Sequence, residues 1–154
     1  MDELSKLIDR MEIVELADRF MVSLDEWNFD DEWVRRFHTP DFTMESPVGD
    51  VVGLDGLAES TRVAMERYER TQHLASNHIV DLDGDRAVVR WNALMVHVHL
   101  SSTAAARGEE PGVHFDVGGR FDAEAVRTAD GWRFRRMDVL PVWFNGRPPI
   151  GMEA

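Results

Sequence analysis

The stretch from Thr71 to Leu100 constrains this chain most. His78-Ile79-Val80-Asp81-Leu82 and Arg86-Ala87-Val88-Val89-Arg90-Trp91 flank Asp83-Gly84-Asp85, a turn signal that joins antiparallel strands, so the stretch reads as a long hairpin. Side chains alternate faces along a strand. Ala87, Val89, Trp91, Ala93, Met95, His97 and His99 therefore share one side, and Val88, Asn92, Leu94, Val96, Val98 and Leu100 the other. Both sides are largely apolar, which predicts a strand buried on both faces. At about 3.3 Å per residue it would reach roughly 50 Å, long enough to need a bulge or strong curvature. The concave side of such a sheet is where His97, and His73 on the neighbouring strand, are expected to point.

Before the hairpin the pattern is helical. Leu4, Leu7, Ile8, Met11, Val14, Ala17, Met21 and Leu24 recur at the spacing of a helix with one buried stripe, leaving Glu12, Glu15 and Arg19 to solvent. Asp25 falls one turn beyond Met21. Periodicity leaves two readings for it, a loop residue that ends the helix or a carboxylate at the edge of the apolar arc, and favours the first. Asp30 or Asp31 can cap a second helix over 32–38 with Trp33, Val34 and Phe37 inward, and Thr39-Pro40 stops it. Residues 41–45 alternate as a short strand, and Ser46-Pro47-Val48-Gly49 turns into Val51-Val52. A third helix fits 54–68 with Leu57, Thr61, Ala64, Met65 and Tyr68 on its inner side.

After the hairpin, residues 101–112 are small, polar and aperiodic, and read as a mobile loop. Residues 113–127 resume strand character around Gly118-Gly119, where the sheet can bend. Asp130-Gly131 predicts another hairpin turn, and 132–140 alternates as its second strand. Residues 145–154 read as a flexible tail. Helices first and hairpins afterwards define an α+β fold with about three N-terminal helices, within residues 2–68, packed on a curved sheet lying mainly in 71–144.

Composition narrows the function. The 154 residues suit one domain spanning 1–154, and no internal repeat interrupts them. Seventeen Lys and Arg against 29 Asp and Glu give a net charge of -12, which repels nucleic acid and anionic membranes. There is no cysteine, so disulfides and thiolate metal sites are excluded. No apolar run approaches the roughly 20 residues of a membrane span, and the acidic start leads into an amphipathic pattern, so the expected location is the cytoplasm.

The order of these elements and several local motifs resemble the SnoaL-like branch of the nuclear transport factor 2-like superfamily, which includes scytalone dehydratase and polyketide cyclases. The motifs are Leu24-Asp25, Phe42 to Gly53 with Ser46-Pro47-Val48-Gly49, Thr71-Gln72-His73 with Asn77-His78, Gly84-Asp85-Arg86-Ala87, His97, and Arg127 to Phe134. The resemblance implies a cone-shaped, mixed or antiparallel sheet whose mouth holds a hydrophobic small molecule, no metal or redox cofactor, and a homo-oligomer, dimer or trimer. It also implies roles: Asp25 as the helix-end partner of a catalytic histidine, His73 as that histidine, and His97 as a second pocket histidine. Relatives that eliminate water often carry a tyrosine on the first helix or first strand. Here Phe20, Phe42 and Met44 occupy those regions, and the only tyrosine, Tyr68, is assigned to the third helix, so a carbonyl-polarising phenol is missing.

An Asp that fixes a His tautomer lets the ring take a proton beside a carbonyl and return one elsewhere, which serves dehydration, isomerisation or cyclisation. The leading reading is thus a cofactor-independent lyase, isomerase or cyclase for a hydrophobic oxygenated compound such as a polyketide or terpenoid intermediate. Its catalytic candidates are Asp25, His73 and His97. Phe20, Phe42, Met44, Trp91, His99, Phe121 and Trp143 are candidates for substrate binding, with Phe115 and Phe144 as further aromatics; all of these rings serve equally as core. The rival reading is a binding module on the same fold, with His73 as a core histidine. His97-x-His99 with His73 is a weaker metal pattern, since Ser101, Ser102 and Thr103 supply no carboxylate, and Arg120 reads as paired with Asp116 or Asp122. His38, His78 and His114 receive no role.

Overall fold

The computed structural model describes residues 1–47 and 49–153. Val48, in the turn expected at Ser46–Gly49, lies outside the described residues. The elements in order are α1 (Glu3–Glu26), α2 (Asp31–Phe37), β1 (His38–Glu45), β2 (Val51–Val52), α3 (Leu57–Met65), β3 (Tyr68–Asp83), β4 (Arg86–His99), α4 (Ser101–Ala106), β5 (His114–Thr128) and β6 (Gly131–Asn145). The six strands form one curved, open sheet in the order β2-β1-β6-β5-β4-β3. It is mixed: β1 runs parallel to β6 and every other pairing is antiparallel.

Both expected hairpins form. Val80, Asp81, Leu82 and Asp83 pair with Val89, Val88, Ala87 and Arg86 around Gly84, and β5 joins β6 through Ala129 and Asp130. The long β3 is broken by register shifts at Tyr68/Arg70 and Ser76/Ile79, and Asn77 takes up the second with φ 56°. Ala87, Val89, Trp91, Ala93, Met95, His97 and His99 are all buried on the inner face. Burial of the other face does not hold: Val88 and Leu94 are exposed, because the helices cover only one side of the sheet.

Asp2 caps α1 by accepting from the Ser5 amide at 2.8 Å, and Trp27 ends it in a left-handed conformation with φ 60°. The helix buries a different arc from the one its apolar spacing suggests. Asp9, Ile13, Leu16, Ala17, Phe20, Met21 and Leu24 face the sheet, whereas Leu4, Leu7, Ile8 and Met11 are exposed. A carboxylate decides this rotation. Asp9 accepts from Arg127 Nη2 at 2.8 Å and from Trp132 Nε1 at 3.3 Å, tying the first half of α1 to the β5–β6 hairpin, and Arg127 also bridges to Asp85 while its guanidinium lies over the Trp132 ring.

Other boundaries shift for local reasons. Asp30 is the cap of α2, accepting from the Trp33 amide. The third helix is shorter than its pattern and buries only Leu57, and Tyr68 begins β3 instead of closing that helix. Residues 101–106 are helical and not a loop, since three consecutive alanines favour a turn of helix that aperiodicity conceals. The tail is held: His99 Nε2 donates to the Arg147 carbonyl at 2.8 Å, and Arg107 donates to the Pro148 carbonyl and the Glu153 carboxylate.

Replacing Asp9 with Ala strands the buried Trp132 N–H and part of the Arg127 guanidinium, so urea unfolding is expected to show a loss of about 1–3 kcal/mol. Asp18→Ala, at a half-exposed carboxylate 3.1 Å from His78, is expected to change stability by under about 1 kcal/mol. Equal effects at the two sites would contradict the anchoring role of Asp9.

Candidate active site

Helix α1 continues through Asp25, so the first of the two readings for this residue is replaced by a carboxylate aimed at β3. Asp25 Oδ2 accepts from the His73 backbone N–H at 2.8 Å, and Oδ1 accepts from His73 Nδ1 at 2.7 Å and from Thr71 Oγ1 at 2.8 Å. Trp27 Nε1 reaches Thr71 Oγ1 at 3.4 Å behind it. An ionised carboxylate only accepts, so Nδ1 of the His73 ring carries a proton, and in the neutral ring Nε2 carries the lone pair. Burial would raise the Asp25 pKa, but the hydrogen bonds from the His73 ring and backbone and from Thr71, with the attraction of the ring, outweigh it and hold the group below the usual carboxylate range.

His97 sits edge-on to His73 with ring centroids 5.4 Å apart. Its Nδ1–H donates to the Phe115 carbonyl at 2.7 Å, so here too Nε2 carries the lone pair. Burial pushes its pKa down to about 4, the nearby His73 ring pushes the same way, and the Phe115 carbonyl with the charges of Asp116 and Asp25 only partly opposes them. His97 is therefore neutral at pH 7. Neither Nε2 has a protein partner among the described residues, and neither is sealed from solvent. The two rings, 5.4 Å apart, thus each have an Nε2 without a protein partner among the described residues.

Tyr68 completes the cluster. Its ring stacks on His97 with centroids 4.3 Å apart and planes at 23°. The one tyrosine of the chain, expected in the third helix, is instead delivered to the histidines by β3. Strict alternation would put residue 68 on the face opposite residue 73. The register shift between Tyr68 and Arg70 returns both to the inner face, and no motif in the sequence announces it.

The remaining sequence candidates distribute as follows. His99 is buried and tilted against Tyr68 at 6.0 Å, beside the tail. Phe20 and Phe42 belong to an aromatic group with Trp33, Phe37, His38 and Phe134, in which His38 lies 4.4 Å from Phe42 and 5.9 Å from Phe20. Met44 packs half-buried against the core. Trp91 and Phe121 stack on each other at 5.0 Å, with Trp91 also near His78 and Phe134. Trp143 is not brought to the histidines. Gly118 pairs with the exposed Leu94 and with Trp143, and a Cβ at Gly118 would meet the Trp143 indole at 2.1 Å, which places that ring on the outer face. Its neighbour Phe144 stacks on Phe115 at 5.9 Å, and Phe115 on His97 at 6.0 Å. The bulge at Gly118/Gly119 exchanges which of the two aromatics faces inward.

His97 and His99 turn to separate carbonyls, those of Phe115 and Arg147, so the pair does not converge on one point. Among the described residues no group of three or more His, Asp or Glu side chains comes together at metal-binding distance. Arg120 pairs with Asp122 at 2.9 Å.

With the geometry in place, comparison with known proteins is informative. The model of the SnoaL-like domain matches residues 5–138, and the chain belongs to that family. Its fold is the nuclear transport factor 2-like one. The Kfla4162 protein from Kribbella flavida superposes with a TM-score of 0.82 at 29% identity, over 92% of this chain and 95% of that one. A protein from Novosphingobium aromaticivorans described as a putative scytalone dehydratase gives 0.78 at 18% identity, covering 95% of each chain. A hexachlorocyclohexane dehydrochlorinase, LinA type 2, gives 0.73 at 16% identity over 97% of this chain and 95% of that one. No curated protein matches.

The buried histidines set a pH dependence. His38, whose Nδ1–H donates to the Val34 carbonyl, is also pushed down to about 4 by burial. A histidine with a depressed folded pKa binds its proton more readily when unfolded, so stability rises with pH through the window from about 4 to 6.5 and falls as the pH is lowered through it. Two such groups give a slope of up to about 3 kcal/mol per pH unit near pH 5. Urea midpoints from pH 7 to 4.5 test this, with uptake of about two protons expected on unfolding at pH 5; a flat profile would contradict it.

Proposed function

We propose that the protein is a cofactor-independent acid-base enzyme, a dehydratase, isomerase or cyclase, acting on a hydrophobic oxygenated small molecule, with His73 as proton shuttle, Asp25 as its orienting partner and His97 as a second polar group. The observation that carries this reading is the bidentate grip of Asp25 on His73, which holds the ring through both its Nδ1 and its backbone N–H and leaves Nε2 bare and solvent-accessible. A histidine that merely satisfied itself in a core would need no carboxylate on its ring.

In the proposed step, Nε2 takes a proton from a carbon next to a carbonyl. The imidazolium that forms lies against the Asp25 carboxylate, which stabilises it by a charge-assisted hydrogen bond. The neutral His97 beside it does not compete for the proton, since a second positive charge 5.4 Å away is disfavoured. Return of the proton to a different carbon gives isomerisation, and its delivery to a neighbouring hydroxyl gives loss of water. Neighbours described as a putative scytalone dehydratase and as a hexachlorocyclohexane dehydrochlorinase both carry names that denote eliminations, which supports this class of reaction. The apolar side chains of Phe115, stacked on His97 and on Phe144, and of Met95, paired with His73, suit a ligand of low polarity.

The same reading extends to self-association. Leu74, Ile79, Val88, Leu94, Leu140 and Trp143 are exposed together on the outer sheet face, an apolar surface of the kind that pairs subunits. Leu94→Glu is then expected to lower the oligomeric state seen by analytical ultracentrifugation, and a monomeric wild-type protein would overturn this part.

For the chemistry, exchange of the α-protons of β-tetralone in D2O gives a direct readout. The wild-type protein is expected to accelerate it, and His73→Ala and Asp25→Asn to lose about a hundred- to ten-thousandfold of that acceleration. A binding module would instead bind the ketone without exchanging it, and would respond to neither substitution.

A further inference from the structure

We propose that Tyr68 is the catalytic hydrogen-bond donor of this site, and that its phenol commits the enzyme to substrates that place a carbonyl oxygen beside the proton His73 removes. This rests on the reading of His73 as the base and adds the group that stabilises the oxyanion.

Hydrogen-bond polarity points to the phenol. The His73 and His97 rings have each spent their N–H, on Asp25 and on the Phe115 carbonyl, and offer only lone pairs at Nε2. The Thr71 hydroxyl is spent on Asp25, and the Trp27 N–H points at Thr71. Two acceptors can take a proton but cannot hold the negative charge that appears on a carbonyl oxygen when an α-proton leaves. The phenol supplies what is missing. Tyr68 Oη has no protein partner among the described residues, yet it is not a sealed, orphaned atom, so its proton is available to a ligand. Its ring lies flat on His97 at 4.3 Å, and His97 lies against His73 at 5.4 Å, so the donor and the base belong to one continuous wall. Tyr68 is also locked: it is 7% exposed and held at the bulged start of β3 opposite His99. Burial raises its pKa to about 12, which keeps it protonated, hence a donor, at neutral pH.

The step balances without a further reagent. His73 Nε2 forms an N–H bond as the α-C–H bond breaks; the released pair becomes a carbon–carbon double bond, and the carbonyl π pair moves to oxygen, where the Tyr68 O–H donates to it. Collapse of this enolate either takes the proton back at carbon or, with a hydroxyl at the β-carbon, breaks the C–O bond while the imidazolium proton leaves with it as water. A halide leaving group on a saturated ring has no such oxygen and gains nothing from the phenol.

Tyr68 is the only tyrosine in the chain, which permits a clean test. With carbon-13 at tyrosine Cζ, the single resonance is expected to shift on addition of β-tetralone and to stay in place with tetralin, the same skeleton without oxygen. Tyr68→Phe keeps the ring and its stacking, and is expected to cost about a hundredfold in the catalysed α-proton exchange of β-tetralone in D2O while changing its KM little. Biosynthetic replacement by fluorotyrosine, which acidifies position 68 alone, is expected to bring an alkaline limb of the exchange rate down to lower pH. Exchange by Tyr68→Phe at the wild-type rate, or a Cζ resonance that ignores the ketone, overturns the role of Tyr68 and leaves His73 as base. Absence of exchange in the wild-type protein, or exchange untouched by His73→Ala, overturns the underlying reading as well.

Discussion

One carboxylate organises this protein. Asp25 ends the first helix and accepts three hydrogen bonds from a strand more than forty residues away, two of them from a single histidine. Charge-assisted bonds of this kind are worth about 1.5–3 kcal/mol each, enough to overcome the desolvation of a partly buried anion. The downward displacement of its pKa, with burial pulling the opposite way, shows which effect prevails. The consequence is geometric as well as energetic. With the His73 ring and its own backbone amide both on one carboxylate, the imidazole has one orientation and one tautomer.

The chain builds this contact by controlled departures from regularity. The helix must run past its last buried leucine, so that Asp25 sits inside the final turn, and Trp27 must stop it at once. Strand β3 must slip register twice, and the first slip is what carries Tyr68 to the face that holds His73. Strand β6 slips against β5 at Gly118/Gly119, where a missing side chain makes room for the Trp143 indole outside and the extra residue turns Phe144 toward Phe115. Each irregularity lies beside the histidines or one strand away from them. Regular β pairing supplies the wall, and bulges choose which side chains line it.

These departures also explain what a reading of residues alone reaches. The hairpins at Gly84 and Gly131, the inner face of β4 with His97, and the second helix with its Asp30 cap follow from alternation, turn chemistry and capping, all of which are local. Asp25 and His73 as partners came from family resemblance, because no spacing rule links residues that far apart. Tyr68 is expected in the third helix because helical spacing continues past Met65, where the chain already turns into β3, and Trp143 is expected at the pocket because a bulge reverses alternation without a sequence signal. The exposed face of α1 was misjudged because a buried salt bridge at Asp9, which apolar periodicity ignores, sets the helix rotation. The turn of helix at 101–106 and the docked tail were missed because short alanine helices and carbonyl-capping arginines leave no periodic trace.

The central claim is that Asp25 fixes His73 with its proton at Nδ1 and a free lone pair at Nε2. Nitrogen-15 NMR of the histidine rings at neutral pH tests this directly, with His73 assigned by its disappearance in the His73→Gln variant. The account predicts that the neutral form of the His73 ring has a strongly downfield Nδ1–H and an unprotonated Nε2, and that this signature is lost in Asp25→Asn. A His73 ring carrying its proton at Nε2, or averaging between the two nitrogens, would contradict it.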